Sequence, residues 1–248
     1  MFPTNESLNK SISNKNINRL AIPAIIAGIS EPILSITDAA VVGHVNLNPT
    51  ESLAAVGIVS SFLSMLIWVL GQSRSAISAI ISQYLGANKL NEVKSLPIQA
   101  ISIIVILSII ICCISIPLSE SIFKFYNAKK LLLEYSVNYY EIRAIGLPFT
   151  LYTFAVFGVF RGLQNTYTPM VIALIGTAVN VFLDLILVHG ISNFIDPMNL
   201  KGAALASVIS QFLMALISTF LIIKKTKIDL KIKPPINKEL PRFLTMIG

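Results

Sequence analysis

The sequence predicts an all-α integral membrane protein, a bundle of six transmembrane helices, and three observations predict it. Only 12% of the 248 residues are charged, about half the share carried by an ordinary soluble domain. Mean hydropathy is +0.76. Several apolar runs reach the ~20 residues that a helix needs to cross a hydrocarbon core of about 30 Å. A soluble fold of this size would need charged faces on its helices, whereas here the charges gather between the apolar runs.

In chain order, residues 1–18 (MFPTNESLNKSISNKNIN) are polar and Asn-rich, without the apolar region and small-residue cleavage site of a signal peptide, and read as a solvated cytoplasmic tail. The spans are expected at 19–43, 53–83, 96–118, 137–160, 169–190 and 202–223, so that 19–223 forms one six-helix bundle. The stretches HVNLNPTES, LGANKLNEVKS, SESIFKFYNAKK, RGLQNTYTP and HGISNFIDPMNLKG break the runs. Pro23 and Pro32 each remove a backbone hydrogen bond from the first helix, which suits a bend or a fixed kink. Cys112 and Cys113 are adjacent inside the third run, where neither a loop-closing disulfide nor metal ligation fits, and read as buried free thiols. Residues 224–248 form a basic cytoplasmic linker broken by Pro234 and Pro235, and its closing RFLTMIG reads as the start of a further apolar segment. No repeat is evident within the six spans, so a repeat partner would lie beyond Gly248 or on another chain.

The net charge of +7 does not mark a nucleic-acid binder, because the basic residues flank apolar spans instead of alternating with aromatics on a polar face. Membrane topology accounts for them. With Lys10, Lys15 and Arg19 inside, the same side receives Lys89, Lys94, Arg161 and the cluster from Lys224 to Arg242. The opposite side keeps mainly Lys124, Lys129, Lys130 and Lys201. The expected protein is multi-pass in the plasma membrane, with both termini cytoplasmic.

Acids inside such spans are costly, roughly 2.5–3.5 kcal/mol each at a helix centre. Glu31 and Asp38 lie two turns apart on one face of the first helix, about 20 Å and 9 Å below its outer end. Asn180 and Asp184, four apart, share a face of the fifth span in the same outer half. Acids that converge in a low-dielectric cavity can take up a proton or share a cation through oxygen ligands, and either couples ion movement to conformation. Alternatively, Asp38 and Asp184 snorkel or pair near a helix end, and Asn180 makes an interhelical hydrogen bond. Glu141 and Arg143 read as a local interfacial charge pair, and Arg74 as a structural group near the cytoplasmic interface. His44 and His189 read as interfacial; with no third ligand, no metal site is expected. No hydrolase or metalloprotease signature accompanies the acids, so an enzyme is not expected.

The segments EPILSITDAAVVGH, LAAVG, ISQYLGANK, IRAIGLP, FRGLQNTYTP, NVFLDLILVHG and KGAALASVISQ together resemble the multidrug and toxic compound extrusion (MATE) transporters, particularly their DNA-damage-inducible branch. The resemblance implies one half of an inverted-V, twelve-helix transporter, an N-terminal six-helix bundle that needs a second bundle, missing here or on another chain. It also implies export of small organic compounds, often cationic or amphipathic, across the lipid bilayer in exchange for protons or sodium ions, with no other cofactor and no nucleic-acid partner. Matched position by position, the family's cation site falls on Asp38, Asn180, Asp184 and Ser207, the last replacing a usual Thr. Glu31 and Tyr139 match cavity-lining positions, and Pro23 a helix-bending proline. Ala39 and Asn165 depart from the family pattern. The competing expectations are a non-transporting six-helix remnant or scaffold, and a lipid-precursor flippase of the same superfamily, which the acids disfavour.

Overall fold

The computed structural model describes residues 14–45, 48–191, 194–226 and 236–247, except the side chains of Asn16 and Glu31. Its helices are α1 (Asn14–Val42), α2 (Pro49–Gly71), α3 (Ser73–Gly86), α4 (Leu96–Ser115), α5 (Ser119–Phe125), α6 (Lys130–Ala144), α7 (Leu147–Gly162), α8 (Tyr167–His189), α9 (Asn199–Lys225) and α10 (Leu240–Ile247). Pro49–Gly86 behaves as one span across the α2–α3 junction. Among the described residues five helices are long and apolar enough to cross a membrane, and α6 with α7, bent by 46°, make a sixth if the bent pair is one span. The chain is a multi-pass, all-α membrane bundle.

Two boundaries differ from expectation. The fourth crossing starts at Lys130, not 137, because its first turns carry Lys130, Glu134 and Asn138 and fall below an apolar threshold while remaining helical. Its bend lies where Gly146 and then Pro148, in the first turn of α7, interrupt the ladder. Helix α1 starts at Asn14, inside the expected 1–18 tail; residues 1–13 lie outside the described residues.

Helix α9 is small and polar on its inner face and greasy on its outer one. On α9, Ile209, Phe212, Leu216, Phe220 and Ile223 face outward at three- and four-residue spacing, while Ala203, Ala206, Ser207, Ser210 and Ser218 are buried. Lipid tails are as apolar as leucine, so helix association in a bilayer relies on close packing of small residues and on interhelical hydrogen bonds. The α3–α7 contact shows the first device. A Cβ at Gly158 would lie 2.5 Å from the Arg74 carbonyl oxygen, and one at Gly162 2.7 Å from Ile81 Cβ. The segment GVFRG thus lets two backbones nearly touch. Tyr140 shows the second: its hydroxyl donates to Ser115 Oγ at 2.6 Å from α6 to the end of α4.

Of the two cysteines, Cys112 is buried and donates to the Ala144 carbonyl at 3.1 Å. Cys113 is exposed, against expectation, because its neighbour takes the inward face of α4. After α9, residues 236–247 return to the bundle. Asn237 accounts for the seating: its N–H donates to Gln99 Oε1 at 2.9 Å and its amide to the Glu92 carbonyl at 3.0 Å. Phe243 of α10 is fully buried, and Arg242 donates to Gln83 at 2.8 Å. Helix α10, Leu240–Ile247, is therefore a short helix packed on α3 and α4.

Candidate functional site

The site follows from the ridge that α8 presents to its neighbours. Ile172, Gly176, Asn180, Asp184 and Val188 are buried at four-residue spacing and so form one row. Helix α9 meets it closely at Gly202, where a Cβ would lie 2.5 Å from the Leu187 carbonyl oxygen. The Met198 N–H donates to that same oxygen at 2.9 Å. Helix α1 packs along the other flank of α8. Asp38 lies four residues from the end of α1 and Asp184 five from the end of α8, about 6 Å and 8 Å along their axes, so the two acids meet at one level.

Asn180, Asp184 and Ser207 are fully buried and Asp38 nearly so. Ser207 Oγ donates to Asp38 Oδ2 at 3.3 Å. Two ionised carboxylates can only accept, so the Asn180 amide turns its nitrogen toward them. In that orientation it donates to Asp38 Oδ1 at 3.2 Å and to Asp184 Oδ2 at 3.1 Å, and its oxygen accepts the Ser207 N–H at 3.2 Å. One amide thus bridges acids from two helices, and a third helix supplies the hydroxyl. Asp184 Oδ1 and the fully buried Tyr139 hydroxyl have no hydrogen-bond partner. Carboxylate and hydroxyl oxygens converging from three helices suit a shared proton or a hard monovalent cation. Among the described residues no three His, Cys, Asp or Glu side chains group as a metal site would need.

The four residues expected to bind the cation are thus brought together, and Tyr139 stands close enough to act on both acids electrostatically. The side chain of Glu31 lies outside the described residues. Pro23 and Pro32 sit inside α1, which stays helical across both.

Arg143 is the residue that sequence reasoning misplaced. Glu141 is exposed, and Arg143 turns inward to line a cavity of about 240 Å³ with Asp38, Ser64, Trp68, Thr150 and Gln211. Its charge acts on Asp38, Asp184 and Tyr139. Helical spacing carried the signal: Arg143 is one turn from Tyr139, whereas Glu141 is about 200° around the axis from it. Arg74 likewise lies inside the span near the α2–α3 junction, its guanidinium 4.8 Å from the Phe154 ring. There it lines a second cavity with Ser30, Thr153 and Arg161.

Long apolar helices with acids from α1 and α8 buried against a hydroxyl of α9 define a multi-pass membrane bundle with a polar cluster inside it. The MatE family model matches residues 23–186, and the chain belongs to that family. It is similar to DNA damage-inducible protein F of Escherichia coli (strain K12), 29% identical over 217 residues, covering 87% of this chain and 46% of that protein. It is also similar to the probable multidrug resistance protein NorM of Thermotoga maritima, 25% identical, covering 88% of this chain and 46% of that protein. Among solved structures, a crystal structure of MATE in the bent conformation superposes with a TM-score of 0.85 at 23% identity, covering 94% of this chain and 51% of that one. The chain spans about half the length of the curated relatives it matches.

Proposed function

We propose that this chain is the N-terminal half of a secondary antiporter that exports small organic, cationic or amphipathic compounds in exchange for protons or sodium ions. The second six-helix body would come from the remainder of a longer protein or from another chain, and the bundle would sit in the plasma membrane with both ends of the chain in the cytoplasm. The observation that carries the reading is the cluster of Asp38, Asn180, Asp184 and Ser207, in which one amide nitrogen bridges two buried carboxylates from different helices. Such a pair is stable only when its charge is balanced, so loading and unloading it with a cation gives two states of different energy. Because Asp38 rides on α1 while its partners ride on α8 and α9, that energy acts on the packing of α1. The family relationship and the names of the relatives, multidrug resistance among them, favour transport over a static scaffold.

The test is ion-driven export by the complete two-body transporter in everted vesicles. Asp38→Asn and Asp184→Asn should each abolish export while membrane insertion and yield stay at wild-type levels. Export that persists in both variants would remove the cluster from the coupling mechanism.

A further inference from the structure

Five buried polar atoms without hydrogen-bond partners lie around the acid pair: Asp184 Oδ1, the Tyr139 hydroxyl, Gln211 Oε1, and the Nε and Nη1 of Arg143. A guanidinium in such a place needs a reason, since an uncompensated buried charge is among the most costly features a fold can carry. Arg143 makes no direct ion pair among the described residues. It lines one cavity with Asp38, behind which Asp184 is held by the shared Asn180 amide, and its charge acts on both acids. From α2, α7 and α9 the same cavity receives only uncharged groups, Ser64, Trp68, Thr150 and Gln211 among them. Among the described residues the charged groups lining this pocket are therefore Asp38 from α1 and Arg143 from α6, with Asp184 of α8 and Tyr139 of α6 buried behind them.

We infer that Arg143 is a resident counter-charge of the acid pair, and that it fixes the number of coupling cations at one. The inference rests on the antiport reading and deepens it. Two carboxylates and one guanidinium leave a single negative charge in a low-dielectric pocket, and one monovalent cation, a proton or a sodium ion, brings the pocket to neutrality. Without Arg143 the same pocket would need two. The side chain is a positioning residue, acting on the ion through the acids without ligating it, and the unpaired Nε and Nη1 leave it free to lean toward the acids when the cation departs.

The test counts protonated carboxyls. Infrared difference spectroscopy of the full chain in lipid bilayers at neutral pH, without sodium, reads the carboxyl C=O stretch, which Asp38→Asn and Asp184→Asn assign. Wild type should show one protonated carboxyl, Arg143→Gln two, and Arg143→Lys one again. Asp184→Asn should show none, and the double variant Asp184→Asn, Arg143→Gln should restore one. A merely structural arginine would not produce that restoration. Should Arg143→Gln not fold, Asp184→Asn and the double variant decide by themselves, because each carries a smaller charge imbalance. A count of one in Arg143→Gln, or of none in the double variant, overturns the inference. The antiport reading is judged separately, by whether export survives loss of the acids, whatever the count.

Discussion

Helix α1 and the α8–α9 pair share one site but are held in opposite ways. Along α8 and α9 the contact is backbone to backbone, with Gly202 against Leu187 and a row of buried small residues behind it. Helix α1 is mostly uncovered: Ile22, Ile25, Ile29, Ile33 and Ile36 are all exposed, and Gly28 has open space where a Cβ would stand. Two prolines interrupt its ladder. The proposed cation site would therefore draw three residues from a close-packed pair and the fourth, Asp38, from a helix whose outer face is uncovered. A coupling device needs that asymmetry, since an ion can reposition only what packing has left free.

The sharpest break of this contrast is Gly202→Val. Its side chain would collide with the Leu187 backbone, which cannot step aside, and it should destabilise the bundle by at least about 3 kcal/mol. Thermal unfolding in detergent checks this; a wild-type midpoint would mean that the α8–α9 contact is not the rigid half. Next comes Pro23→Ala, which restores a helical hydrogen bond to α1. It should lower ion-driven export while leaving the unfolding midpoint near wild type, and undiminished export would remove Pro23 from the bending mechanism. Amide hydrogen exchange in a bilayer should then be faster for residues 20–36 than for 172–188, and equal protection would erase the distinction. The smallest effect belongs to Gly28→Ala. With nothing within 4 Å of the new methyl group, it should stabilise α1 by about 0.5–1 kcal/mol, read as a small rise in unfolding midpoint, where the equivalent change at Gly202 is ruinous.

Much of this organisation is legible in the sequence, for physical reasons that differ by residue. The crossings follow from apolar length, and the convergence of Asp38 and Asp184 follows from the cost of isolating acids in hydrocarbon. The 46° bend between α6 and α7 escaped because its first turns are too polar for a hydropathy window, although Gly146 and Pro148 mark the place. Arg143 escaped because adjacency to Glu141 suggested a pair that helical geometry forbids. The seating of residues 236–247 depends on Asn237 reaching Gln99 and Glu92 more than 130 positions away, and no local pattern encodes a contact of that span.

The chain's single tryptophan, Trp68, borders the cavity that holds Asp38 and Arg143 and is itself 77% exposed. Nature has thereby placed a fluorophore at the wall of the pocket whose wetting and drying the exchange cycle would govern. The colour of indole emission, shifting to the blue as water leaves, makes the unlabelled protein its own optical gauge of which way the pocket has turned.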